Sequence, residues 1–98
     1  MAKQQCHGSI AHHLGVLATV TGQFQDAEAH FRYAEAMHQR LDAPVVLART
    51  QLEWARMLLT RRQTADADRA EDLLSSALAT ARRLGLGNIE RRAAQLLT

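Results

Sequence analysis

The sequence predicts an all-α fold, in which two antiparallel helical hairpins are followed by a C-terminal helix that covers an exposed end. Apolar residues recur at spacings of three and four along the chain, and no stretch shows the alternation typical of a strand. Hydrophobic residues make up 47% of the chain but aromatic residues only 4%, so the core must consist mainly of Ala and Leu. Such a core suits closely packed helices, because Ala lets helix axes approach and Leu fills the space between them.

The stretch 45–61 is the segment around which the rest of the chain is organised. As a helix, it gathers Arg49, Glu53, Arg56 and Thr60 onto one narrow polar stripe. Most of the remaining circumference is apolar and consists of Val45, Leu47, Ala48, Leu52, Trp54, Ala55, Leu58 and Leu59. A helix this apolar must be covered on more than one side, so we expect a middle helix between neighbours.

The first hairpin follows a polar N-terminal tail, residues 1–8. We expect the first helix to begin at a Ser9 cap and to run to about Thr21, where Gly22 stops it. Its predicted apolar face consists of Ile10, Ala11, Leu14, Leu17 and Ala18. The second helix is expected from about Phe24 to Leu41. Its predicted buried stripe consists of Phe24, Ala27, Phe31, Ala34, His38 and Leu41.

The second hairpin starts with the central helix. Asp42 is its predicted N-cap, Pro44 lies in its first turn, and it continues to about Arg62. After a turn at 63–67, either Asp66 or Asp68 caps a fourth helix. The predicted buried residues of that helix are Ala67, Ala70, Leu73, Leu74, Ala77, Ala81 and Leu84.

A left-handed cap and a short closing helix complete the predicted chain. Gly85 ends the fourth helix, and Leu86 is available to fold back onto its last turn. Asn88 starts the closing helix, whose apolar side consists of Ile89, Ala93, Leu96 and Leu97.

An internal repeat relates the two hairpins. The pattern Ala27, Phe31, Ala34 recurs as Ala70, Leu74, Ala77, and Leu14, Gly15, Ala18 recurs more loosely as Trp54, Ala55, Leu58. With 98 residues the chain has room for one domain. We therefore divide the chain into a flexible tail (1–8) and one helical domain (9–98). The domain comprises repeat one at about 9–42, repeat two at about 43–86 and a capping helix at about 88–98.

These residues resemble tetratricopeptide repeats. In the first repeat the match consists of Leu14, Gly15, Gly22, Phe24, Ala27, Phe31 and Ala34. The second repeat departs from the pattern, because Trp54 and Ala55 replace the usual Leu-Gly and its turn is longer. The resemblance implies an α-α superhelix in which small residues let the two helices of a pair cross closely.

The stretch 41–59, the Asp- and Arg-rich turn after it and the stretch 70–93 look like the C-terminal repeat region of large bacterial regulators. Those proteins join a signalling ATPase module and long tetratricopeptide-like arrays to a nucleotidyl cyclase domain or a LuxR-type DNA-binding domain. This chain has no GxxxxGK[ST] loop for phosphate and no acidic cluster for magnesium. The activity of such proteins is therefore not expected here.

The tetratricopeptide resemblance also implies a concave groove lined by the first helix of each pair. Its residues would be His12, Val16, Thr19, Arg49, Glu53 and Arg56. An arginine pair there favours an acidic or carboxylate-bearing segment, because guanidinium donates two parallel hydrogen bonds to a carboxylate. The alternative is a solvated surface with an internal pair between Arg49 and Glu53. The sequence leaves both interpretations open.

Catalysis, metals and cofactors have little support in the sequence. No histidine stands at hydrogen-bonding spacing from Ser75 and Ser76, and no carboxylates are paired in an apolar setting. The N-terminal cluster of Cys6, His7, His12 and His13 lacks the i, i+4 spacing that presents two metal ligands together. His38 lies within an apolar stripe, which predicts a neutral, hydrogen-bonded structural residue. We expect no enzyme activity, no metal and no cofactor.

Charge and cysteine content restrict the partners. A formal charge of +2 is too small to suggest nucleic-acid binding, and arginine pairs such as Arg82 and Arg83 are interpreted as helix-dipole partners. A single cysteine and the lack of a signal or membrane segment favour a cytoplasmic protein.

Taken together, the sequence favours a non-catalytic protein-protein interaction module. It would bind a peptide or helix in its groove or self-associate as a homodimer, since two and a half repeats leave apolar ends. The alternative is a regulatory or sensory C-terminal segment of a bacterial transcriptional regulator or of a nucleotide-cyclase signalling protein.

Overall fold

The computed structural model describes residues 2–98, with side chains from Gly8 onward, and this part of the chain contains helices and no strand. The all-α prediction is therefore confirmed. The helices are α1 (Ala2–Val20), α2 (Phe24–Arg40), α3 (Pro44–Arg61), α4 (Asp66–Leu84) and α5 (Gly87–Leu97). Within the described residues, no helix combines the length and the apolar character needed to cross a membrane.

The start of α1 differs from the prediction. The helix begins at Ala2 rather than at a Ser9 cap, so it runs through the predicted boundary between tail and domain. At Gly8 it packs closely on α2, since a Cβ there would lie 2.9 Å from Cε1 of His38. Met1 and the side chains of residues 2–7 lie outside the described part of the chain.

The turn between α2 and α3 shows that the prediction of Asp42 as an N-cap is wrong. Asp42 has a left-handed backbone, with φ of 50°, and Ala43 precedes α3 without a side-chain cap. The backbone N–H of Ala43 donates to the carbonyl of His38 at 2.9 Å. Asp42 thus ends α2 as Gly22, with φ of 79°, ends α1. A left-handed residue that closes one helix cannot also take the extended backbone of an N-cap.

The start of α4 also lacks the predicted side-chain cap. Neither Asp66 nor Asp68 caps the helix, because Ala65, with φ of 69°, stands at the N-cap and α4 already begins at Asp66. The Asp66 carboxylate instead accepts hydrogen bonds from Arg61 and from the backbone N–H of Gln63. Asp66 therefore ties α4 to the end of α3 and to the intervening turn.

The helices pack in the order expected for two hairpins and a closing helix. Contacts join α1 to α2, α3 to α4, α2 to α3 and α4 to α5, and α3 also touches α1 and α5. Short turns between packed neighbours make consecutive helices antiparallel. The prediction of a central helix covered on several sides is confirmed, since Trp54, Ala55 and Met57 of α3 are fully buried.

The main core joins the two hairpins. Its large members include Phe31 of α2, Trp54 and Leu58 of α3, and Leu74 of α4, all of which are at most 1% exposed. The Arg69 guanidinium lies 4.8 Å from the Trp54 ring centroid, a cation-π contact from α4. The Trp54 Nε1 atom is buried and has no hydrogen-bond partner among the described side chains, so the indole contributes mainly through packing.

A smaller cluster holds α5 in place. It consists of Ala48, Ala77, Ala81 and Ile89, with Leu86 packed against it. Gly85 has the predicted left-handed conformation, with φ of 73°, and the N–H of Leu86 donates to the Ala81 carbonyl at 2.8 Å. The predicted cap and the return of Leu86 are thus confirmed.

Several residues predicted to be buried are not. On α4, Ala67 is exposed and Leu84 is 40% exposed. On α1, the predicted apolar face is only half covered. Ala11 and Ala18 are buried against α2, whereas Ile10, Leu14 and Leu17 are 55%, 42% and 60% exposed.

Candidate functional site

A polar cleft of about 360 Å³ lies where α1, α3 and α5 meet. His12 of α1, Arg49 and Glu53 of α3, and Asn88 and Arg92 of α5 contribute its polar lining. Arg49 and Glu53 lie one helical turn apart, so they project from the same side of α3. We call this cleft the groove.

Glu53 is the centre of an ion-pair cluster in the groove. One carboxylate oxygen accepts a hydrogen bond from Nη2 of Arg92 at 3.0 Å, and the other accepts one from Nη1 of Arg56 at 3.1 Å. Arg92 thereby links α5 to α3 through an ion pair. Among residues 8–98, Arg49 makes no ion pair, so the Arg49–Glu53 pair considered from the sequence does not form.

His12 connects α1 to α3. Its Nδ1 atom lies 2.9 Å from Oγ1 of Thr50, whose side chain is fully buried. Burial lowers the pKa of His12, the neighbouring His13 lowers it further, and the Glu53 carboxylate acts in the opposite direction. The imidazole is therefore neutral at physiological pH and acts as a hydrogen-bonding group.

A small pocket of about 40 Å³ adjoins the groove beside Thr50, and Ser9 and His38 also line it. His38 is 2% exposed, so its predicted burial is confirmed, and burial lowers its pKa. The predicted hydrogen bond is not found at Nε2, which has no partner within the described structure. A buried imidazole nitrogen without a hydrogen-bond partner favours the neutral ring.

The structure brings together part of the predicted site. His12, Arg49 and Glu53 line the groove, and Arg56 reaches it through Glu53. Val16 packs against the main core, and the Thr19 hydroxyl donates to the Gly15 carbonyl at 2.8 Å. These last two residues line neither the groove nor the adjoining pocket.

The sequence reasoning missed the contribution of α5. Arg92 belongs to a further arginine pair, for which the same helix-dipole interpretation was given, but it lies on the same side of α5 as Ile89 and Leu96 and reaches Glu53. A charged residue within an apolar stripe was the available signal. Thr50, Ser9 and Asn88 gave no such signal, because small polar residues are common on solvated helix faces.

Among the side chains that the structure describes, no group of three His, Cys, Asp or Glu residues is close enough to hold a metal ion. Cys6 and His7 lie outside those side chains. Ser76 accepts a hydrogen bond from Gln51 at 3.3 Å, a contact between neighbouring helices.

Fold and site together define an all-helical protein with a polar groove closed at one end by its last helix. Comparisons with protein-family models, with curated proteins and with solved structures give no match to this chain.

The burial of His38 predicts how stability depends on pH. Because its folded pKa is lowered, the unfolded chain takes up a proton near pH 6.5 while the folded chain resists protonation. The contribution of the neutral His38 side chain to stability is therefore fully present above about pH 6.5 and is lost as the pH falls toward the lowered folded pKa. Urea unfolding at about pH 8 and at about pH 5.5 measures this loss as a difference in the free energy of unfolding. We expect the difference to be smaller in His38→Leu than in the wild type. A variant that loses as much stability as the wild type between the two pH values would contradict the role of burial.

Proposed function

We propose that this chain is a non-catalytic protein-protein interaction module of the tetratricopeptide type, whose groove binds an acidic peptide segment. The single observation that carries the proposal is Arg49, an exposed guanidinium group in the groove that makes no ion pair within residues 8–98. A guanidinium group in a cleft can donate two parallel hydrogen bonds to a carboxylate, which provides both affinity and orientation.

Equivalent residues of the two hairpins support the repeat architecture. Ala27, Phe31 and Ala34 of α2 are all 0% exposed. Their counterparts in α4, Ala70, Leu74 and Ala77, are at most 1% exposed. The internal repeat thus corresponds to an equal pattern of burial, as expected when each hairpin packs by the same small-large-small contact.

The charge of the groove supports an acidic ligand. Arg49, Arg56 and Arg92 place three guanidinium groups around the single carboxylate of Glu53, which leaves an excess of two positive charges. The lining also includes Leu52 and Ile89, so apolar contacts are available beside the charged ones. A cleft of this size accommodates a few side chains of a bound segment.

Peptide selection tests the proposal directly. Peptides selected on the wild-type chain from a random display library should be enriched in Asp and Glu. Arg49→Ala should weaken their binding at least about tenfold, which corresponds to loss of a charge-assisted hydrogen-bond pair. Added salt should weaken wild-type binding as well.

Arg83→Ala provides a matched control, because Arg83 is an exposed arginine of α4 that lines neither the groove nor the adjoining pocket. It should leave the affinity of the selected peptides unchanged. Selection of peptides without acidic enrichment, or equal binding by the Arg49→Ala chain, would show that the groove assignment is wrong.

A further inference from the structure

The outer face of α1 is an apolar surface separate from the groove. It consists of Ile10, Leu14 and Leu17, which follow one another at spacings of four and three and are about half exposed or more. Tyr33 of α2, 48% exposed, lies beside them and shares a shallow cleft with Ile10 and Leu14. None of these residues lines the groove.

The internal repeat shows what such a face does when it is covered. The register that pairs Leu14 with Trp54 pairs Ile10 with Thr50 and Leu17 with Met57. Thr50, Trp54 and Met57 are all 0% exposed.

The first hairpin contributes to the burial of those positions of α3. Thr50 contacts His12 of α1, and Trp54 and Met57 belong to the same core cluster as Phe31 of α2. The outer face of α1 is thus the face to which a hairpin docks in this fold, and in the single chain it is uncovered.

We propose that a second copy of this chain covers the outer face of α1, in a two-fold symmetric dimer with the two α1 helices antiparallel. The stripe is self-complementary in that arrangement. With Leu14 near the axis, Ile10 of one copy packs against Leu17 of the other. From Gly8 to Gly22 the sequence has no Asp, Glu, Lys or Arg, so pairing α1 with itself buries no formal charge and brings no like charges together.

The exposed area is sufficient for such a dimer. Together with Val20, which is 79% exposed, the outer face of α1 and Tyr33 leave on the order of 500 Å² of apolar surface in water, as large as the largest patch on an ordinary monomer. Two copies would bury roughly 1,000 Å², the lower limit for a specific interface, so we expect dimerisation to depend on concentration. Because α5 covers the other end, pairing through one open end closes as a dimer.

Sedimentation across a concentration series tests the dimer. The wild-type chain should be dimeric at micromolar concentrations and above, and Leu17→Glu should raise the dimer dissociation constant on the order of a hundredfold, because it places two carboxylates in the interface. Val45→Glu is the matched control, since Val45 is a similarly exposed apolar residue of α3, at 42%, outside this face. It should leave the dissociation constant unchanged.

Cross-linking keeps the test independent of folding. In a Cys6→Ser background, Leu14→Cys should form a disulfide-linked dimer under mild oxidation, because the two Leu14 positions lie near the two-fold axis. Val45→Cys in the same background should form no disulfide-linked dimer. A wild-type chain that stays monomeric throughout the series, or equal effects of the substitutions at 17 and 45, would overturn the proposal. That result would leave the proposed peptide binding in the groove untouched, since the two surfaces share no residue.

Discussion

Replacing Arg61 with Met is expected to lower the free energy of unfolding by about 3 kcal/mol, because it leaves a buried carboxylate without its charge partner. Nε and Nη2 of Arg61 each donate to an Asp66 oxygen at 2.9 Å, and Nη1 donates to Glu28 at 3.2 Å. The side chains of Arg61 and Asp66 are only 11% and 8% exposed. This cluster connects the α3–α4 turn to α2, so the loss affects contacts between the two hairpins.

The exposed pair between Arg82 and Glu90 provides the control. Its side chains are 64% and 42% exposed and 3.4 Å apart. Arg82→Met should change the free energy of unfolding by about 0.5 kcal/mol or less, because water screens such pairs. Urea unfolding of both variants at neutral pH makes the comparison. Equal effects of the two substitutions would show that the Arg61 pair does not stabilise the fold.

The pair between Arg61 and Asp66 predicts a pH dependence. The hydrogen bonds from Arg61 hold the pKa of Asp66 below the usual value. The contribution of this pair to stability is therefore fully present above about pH 4 and is lost as the pH falls through the lowered folded pKa. The stability difference between wild type and Arg61→Met should therefore be largest at neutral pH and should shrink in acid.

Gly15→Ala should destabilise the fold by about 2 kcal/mol, although Ala is normally the better helix former. A Cβ at this position would lie 2.6 Å from Cε1 of Phe31 and 2.7 Å from Cδ1. Phe31 is fully buried in the main core and cannot move away without displacing its neighbours. The close crossing of α1 and α2 therefore depends on the missing side chain.

Two further variants establish the cause. Gly87→Ala is the control, because a Cβ there would meet only the flexible end of Arg91 at 3.6 Å, and it should leave stability unchanged or slightly raised. Adding Phe31→Leu to Gly15→Ala should recover part of the loss that the clash produces, so the two substitutions should be non-additive. Thermal unfolding of the wild type, Gly15→Ala, Phe31→Leu and the double variant measures the coupling. Additive losses would contradict a steric origin.

Local sequence features predicted most of the fold. Spacings of three and four placed α2 to α5 within two residues of their observed bounds, since an amphipathic stripe and a glycine stop are local signals. The predictions of N-caps at Asp42 and Asp66 were wrong for a shared reason. An aspartate has several uses near a helix end, and which one it adopts depends on the turn before it and on distant partners such as Arg61.

The groove was predictable in part. Arg49, Glu53 and Arg56 could be assigned to one stripe of α3, because residues three and four apart share a helix face. The pairing of Glu53 with Arg92 could not be predicted, since it joins residues far apart in the chain. Whether Arg49 or Arg92 would neutralise Glu53 depended on where α5 packs.

The sequence alone determined the helical class, the order of the helices and most residues of the shared core, because hydrophobic periodicity and small-residue spacing act within single helices. Only the tertiary structure decided which apolar stripe remains exposed, and which groove arginine and which buried histidine nitrogen have no partner among the described side chains. These properties depend on what each helix packs against. The same positions are buried in α3, against which the first hairpin packs, and exposed in α1.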